Sequence, residues 1–319
     1  MSLADPDPLA PSEASAGAQG REDGRGLQGL WADLRGDIPG LTGVIFLALL
    51  LLMALCAPLV APHDPEAQNI IARLKPPAWM EGGSWAHMLG TDHLGRDVLS
   101  RLIHGSQISL LVGAATVLLA GSFGVLLGLI AGYVGGRTDN WISAIIDTQV
   151  AFPGLLLALM ILAVIGPSTL TVIVVLALNG WMVYARVTRG VVLSLRHTAF
   201  VEAAGLLGCS TWRILIRHLL PNLSAPLLTL GTLEFARIVL AEAALSFLGL
   251  GVQPPATSWG LDVAQGKDYM LRAWWLVTFP GLAIAMTVLA INLIASWLRV
   301  TSDPVEREKR FARRAGTGA

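Results

Sequence analysis

Between Asp147 and Arg186 the chain runs for 38 residues without a charged side chain. A helix needs about 20 apolar residues to cross the hydrocarbon core of a bilayer, so this stretch has room for two crossings. Gly166-Pro167-Ser168 interrupts it near the middle, where a tight helical hairpin is expected. Four further apolar runs flank it: Leu41–Ala61, Ile108–Tyr133, Leu223–Leu250 and Ala273–Leu298. The chain as a whole is 54% hydrophobic and only 14% charged, more apolar surface than a compact soluble core can hide. The expected fold is an all-α membrane protein with six transmembrane helices.

Six crossings place both termini on one side, and the arginines and lysines say which. With the N terminus inside, the inside segments carry fifteen of these residues and the outside segments six. That bias places both termini in the cytoplasm of a multi-pass protein of the cytoplasmic (inner) membrane. The chain divides accordingly. Residues 1–40 are a mostly disordered cytoplasmic tail with no leader-like pattern, and 41–300 form the six-span domain. Residues 301–319 are a basic cytoplasmic tail. Within the domain lie an extracytoplasmic loop, 62–107, and a cytoplasmic loop, 189–222.

Several chemistries are excluded early. Two cysteines, Cys56 and Cys209, cannot make a disulfide framework or a cysteine-rich metal site. Gly266-Lys267 is the only Gly-Lys pair, and Asp268 follows it, so there is no phosphate-cradling loop. His87, His93 and His104 fit no ligand spacing, and no metal is expected. Zero net charge gives no reason to expect nucleic acid. An intramembrane hydrolase lacks its His-Glu-x-x-His motif and has no histidine within a span. A self-contained secondary transporter or channel stays open on composition alone.

Three segments carry more information. Gly124, Gly128 and Gly132 recur every four residues in the second run, a ridge that lets another helix approach closely. In the outer loop, Val98, Leu99, Leu102 and Ile103 share one helical face. Asp97 is placed to start that surface helix and Gly105 to stop it. In the inner loop, Phe200, Ala204 and Leu207 stand at helical spacing before Gly208. Ser210 then starts a second short helix with Trp212, Ile216 and Leu219 on one face, and Pro221 is placed to end it. Surface loops seldom carry this much apolar area uncovered. Lipid and a protein partner are both open as the cover.

Glu202-Ala203-Ala204, three residues, Gly208, and then Leu220-Pro221 resemble the EAA loop of ABC importer permeases. Gly90-Thr-Asp-His-Leu-Gly-Arg-Asp97, Ala151-Phe-Pro-Gly154 after Asp147, and Leu245-Ser-Phe-Leu-Gly-Leu-Gly251 resemble its peptide-importer branch. Together they resemble the second, "C"-type permease subunit of the dipeptide, oligopeptide and nickel importers, over roughly residues 40–303. The resemblance implies a type I ABC importer permease-like bundle that is not itself an enzyme. It implies ATPase coupling through Glu202, Ala203, Ala204, Gly208, Leu220 and Pro221. It also implies a second homologous permease subunit, two cytoplasmic ATPase subunits and an extracytoplasmic solute-binding protein as partners, with lipid around the bundle. ATP and Mg would be bound by the ATPases and no cofactor by this chain. Peptides are the expected solute, with nickel chelates, glutathione and oligosaccharides as alternatives.

Glu234, Arg237 and Glu242 interrupt the fifth run. Each isolated charge at mid-membrane costs about 2.5–3.5 kcal/mol on insertion scales. Glu234 and Arg237, three apart, can pair on one face, and Glu242 lies about 80° around the helix from Glu234. A self-neutralised pair at a subunit interface and a lining for a zwitterionic solute are both open readings; the second makes all three residues candidates for the translocation path.

Overall fold

A computed structural model describes Trp31 and residues 33–302, with the side chain of Ser302 left out. Most of both expected tails lies outside the described residues. Nine helices organise the rest: α1 (Ile38–Leu55), α2 (Val98–Val134), α3 (Gly136–Val150), α4 (Gly154–Ile165), α5 (Thr169–Leu195), α6 (Ala199–Leu206), α7 (Ser224–Phe247), α8 (Trp259–Gly266) and α9 (Trp275–Ser302). Single helical turns occur between them, and no named strand is found among the described residues. Five of the helical segments are long and apolar enough to cross a bilayer.

The third crossing differs from the sequence expectation. In its place stands a bent pair, α3 and α4, meeting at 84° across Ala151-Phe152-Pro153, which has the length and composition to cross only if the two count as one broken span. Pro153 lacks an amide hydrogen and disfavours helical backbone in the residue before it, so the helix breaks there. The 12-residue α4 rises only about 18 Å, too little to cross alone. The Gly166-Pro167-Ser168 turn does join α4 to α5, and Ser168 and Thr171 close a capping box at the start of α5.

The glycine ridge explains the most extensive helix contact, α2 along α5. A Cβ on Gly124 would lie 2.2 Å from the Trp181 carbonyl oxygen, and one on Gly128 2.5 Å from that of Ala185. Only a missing side chain lets the two backbones come this close. Around this seam, α9 packs on α1 and α7, and α8 on α9 and α7.

Two expected helix stops are corrected. Gly105 does not end a surface helix: α2 starts where expected, with Asp97 Oδ2 accepting from the Ser100 amide at 2.8 Å, and runs unbroken for 37 residues. Gly105 instead leaves room for the indole of Trp259, whose ring carbon would stand 3.1 Å from a Cβ there. Pro221 does not end the second short helix either. The chain continues from Thr211 through a π turn (Ile214–Leu219) and a 3-10 turn (Leu220–Leu223) into α7, forming one segment, Thr211–Phe247. Proline in the first turn of a helix loses no hydrogen bond that turn would have made.

At the Asp97 end, the segment Gly90–Asp97 is a structural knot. Asp92 Oδ1 accepts from the amides of Leu94 and Arg96, and Arg96 Nε donates back to Asp92 Oδ2 at 2.6 Å. Arg96 also reaches Gln265 at 2.8 Å, and Arg101 pairs with Asp262. Arg96 thus ties the loop, and Arg101 the start of α2, to α8, while the Trp275 indole donates to the Thr91 carbonyl at 3.2 Å and ties the loop to α9.

Candidate functional site

At the opposite end of the bundle, α6 and the segment from Thr211 form a knob. Gly208 turns the chain with φ +77°, and Ser210 Oγ accepts from the Arg213 amide at 3.4 Å. One face of the knob is core: Val201, Ala204, Ile214, Leu215, Leu219 and Leu223 pack with Leu129 of α2 and Val192 of α5. The other face is open. Phe200, Leu206, Leu207, Trp212 and Ile216 are exposed, Leu206 at 90% and Leu207 at 85%. Leu219, expected beside Trp212, is fully buried instead, because the wider π turn rotates it onto the core.

The candidate coupling residues gather on this knob. Glu202, Ala203, Gly208 and Pro221 are exposed, Ala204 is buried and Leu220 half-buried. Glu202 has His197 Nδ1 3.8 Å from its carboxylate, both side chains well exposed. The knob carries an open apolar face beside one projecting carboxylate.

Inside the bundle the three charges of α7 separate. Arg237 donates through Nε and Nη2 to Glu234 Oε2 at 2.9 and 2.6 Å. Glu234 is buried while the Arg237 side chain is 54% exposed. Glu242 takes no part in this pair. It is 1% exposed, and its Oε1 accepts from Ser246 Oγ at 2.7 Å and Ser258 Oγ at 2.8 Å. Ser258 also caps α8, so Glu242 links α8 to α7.

Sequence spacing could not show the other charge pairs of the spans. Arg186 Nη2 donates to Asp147 Oδ1 at 2.9 Å, and Arg189 Nη2 to Asp139 Oδ2 at 2.7 Å. The partners stand 39 and 50 residues apart, beyond any helical periodicity. Asp147 and Arg186 are both open, at 72% and 56%.

One pair of histidines does converge with a carboxylate, and it is not drawn from spacing along the chain. His63, His87 and Asp97 bring ring nitrogens and a carboxylate oxygen within 4.8 Å of one another. Such a set has the donor types of a divalent-metal site. Asp97 is already engaged, however: it accepts from His87 Nδ1 at 3.0 Å and caps α2. These bonds account for its burial without an ion.

Residues 124–307 match the family described as binding-protein-dependent transport system inner membrane component, and residues 27–77 match the N-terminal TM domain of oligopeptide transport permease C. The chain belongs to this family of ABC importer permeases, in its dipeptide and oligopeptide branch. It is a multi-pass protein of the inner membrane. The chain is 44% identical over 278 residues to the di/tripeptide transport system permease protein DppC of Pseudomonas aeruginosa, covering 87% of this chain and 92% of that one. It is equally identical to the dipeptide transport system permease protein DppC of Escherichia coli, covering 87% and 93%. The probable D,D-dipeptide permease DdpC of the same species is 39% identical over 271 residues, covering 85% and 89%. Among solved structures, a chain of the MetNI methionine ABC transporter superposes with a TM-score of 0.53. It is 17% identical and covers 64% of this chain and 97% of that one; this likeness concerns the fold.

Proposed function

We propose that this chain is the "C"-type permease of a peptide importer and moves its solute by alternating access, driven through the knob at Gly208. The observation that carries this reading is the open apolar face of Phe200, Leu206, Leu207, Trp212 and Ile216 beside Glu202. The same knob is packed on α2 and α5 through its other face. A body held to two spanning helices on one side, with an apolar surface on the other, transmits a push from a cytoplasmic ATPase subunit into the bundle. On this reading both termini and the knob are cytoplasmic, and ATP and Mg are handled by two partner ATPases. A second homologous permease completes the pore, and an extracytoplasmic binding protein delivers the solute. Relatives named for dipeptides and di/tripeptides support peptides as that solute. Glu234, Arg237 and Glu242 stand as the path candidates on α7.

Glu202→Lys and Gly208→Val, each in the complete complex reconstituted in vesicles, test the coupling. Glu202→Lys reverses the projecting charge, and Gly208→Val forces a branched side chain into the left-handed region. Both are expected to abolish peptide uptake while the membrane domain still folds. The complex then either loses its ATPase subunits or hydrolyses ATP without transport. Wild-type uptake with wild-type ATP coupling in both variants would overturn the coupling role. Uptake by the chain reconstituted alone would favour a self-contained transporter.

A further inference from the structure

A cavity of about 470 Å³ opens between the α3–α4 bend, α5 and α7. That volume lies within the ordinary range for small-ligand pockets, about 300–1,000 Å³. Phe152 and Leu155 line it from the bend, Asn179 and Arg186 from α5, and Arg237 from α7. Two cations therefore border one cavity, and their carboxylate partners, Asp147 and Glu234, are not among its lining residues. Each guanidinium has five N–H donors; Arg186 uses one on Asp147 and Arg237 two on Glu234. Asn179 is fixed on this wall, its Nδ2 donating to the Val175 carbonyl at 3.0 Å.

Lipid is a poor neighbour for this wall. Arg186 and Arg237 are both more than half exposed, and charges in membrane segments face a protein partner or a watered path. A plain subunit contact would account for exposed ion pairs, but not for a cavity of this volume bordered by both arginines.

We propose that this cavity takes the carboxylate end of a peptide during its passage. The carboxylate sits between Arg186 and Arg237, which match its planar geometry with paired donors. The last side chain lies on Phe152 and Leu155. The proposal rests on the reading of the chain as a peptide permease and names a subsite of that path.

The test uses the complete complex in vesicles, with alanyl-alanine and its C-terminal amide as probes. Arg237→Gln leaves Glu234 unpaired, so the double variant Glu234→Gln/Arg237→Gln is measured beside it. The double variant is expected to lower maximal alanyl-alanine uptake about tenfold at unchanged KM. The double variant is also expected to reduce the acid-to-amide uptake ratio at least fivefold. Arg237→Lys should recover part of the rate. Wild-type uptake and an unchanged acid-to-amide ratio in the double variant would overturn the subsite and leave the pair as a neutralised contact. Failure of the wild-type complex to take up any peptide would instead remove the permease reading, and the subsite with it.

Discussion

His93 stacks on Tyr269 with ring centroids 5.4 Å apart, and its Nδ1 is buried without a partner. Burial holds this imidazole below its ordinary value of 6.5, with Asp92 opposing and Arg96 and Arg101 assisting. The unfolded chain therefore takes up the proton first as pH falls. Stability is undiminished above pH 6.5 and is lost as pH drops through that value toward the lower folded one. Thermal unfolding of the purified chain should accordingly fall in midpoint between pH 7.5 and pH 5.5. In His93→Phe, which keeps the stacking and cannot titrate, the fall should be visibly smaller. Equal falls in the two proteins would show that other groups carry the acid sensitivity. Glu242 makes a related point at the same scale: a buried carboxyl group with two hydroxyl donors links two elements of the bundle.

The α2–α5 seam sets how far single elements tolerate change. Gly128 and Gly124 press on carbonyl oxygens of α5, so an added side chain meets backbone that cannot rotate away. Overpacking of this kind costs about 1–3 kcal/mol, occasionally more. Gly128→Leu should lower the yield of folded chain several-fold and its unfolding temperature. Gly190→Ala, on the far side of α5 with nothing within 4 Å of the added carbon, should leave both near wild type. If both substitutions behave alike in a detergent melt and a size-exclusion profile, the seam is not what limits stability. The same helix pair matters for coupling, because the knob's buried face rests on Leu129 of α2 and Val192 of α5. A loosened seam would therefore also weaken the lever.

For the whole molecule, the proposed orientation places the Gly208 knob and the Gly90–Asp97 knot at opposite membrane faces. Single cysteines at Thr211 and Glu81, both exposed positions, test this in a background without Cys56 and Cys209. A membrane-impermeant thiol reagent added to intact cells should label Glu81→Cys only, and Thr211→Cys should react only after the membrane is opened. Labelling of both from outside would overturn the topology. The bent third crossing is part of the same architecture: it turns the chain so that Phe152 and Leu155 face α5 and α7 across the cavity.

The amino-acid order by itself determined the all-α membrane class, the Asp97 start of α2, the Ser168 turn, the Gly208 turn and the Glu234–Arg237 pairing. Each of these depends on residues within four positions of one another or on the length of an apolar run, and such local physics is written in the linear pattern. Tertiary structure alone decided that Gly105 seats Trp259 instead of ending a helix, that Pro221 begins a turn leading into α7, and that Glu242 faces two serines. It also brought Asp147 to Arg186, Arg101 to Asp262, and Arg186, Arg237 and Asn179 to one cavity. The reason is physical: a glycine or proline that ends a helix in water can be absorbed when a neighbouring helix supplies the contact. A charge on a spanning helix finds its partner by packing, across separations of 39 to 161 residues that no helical period encodes.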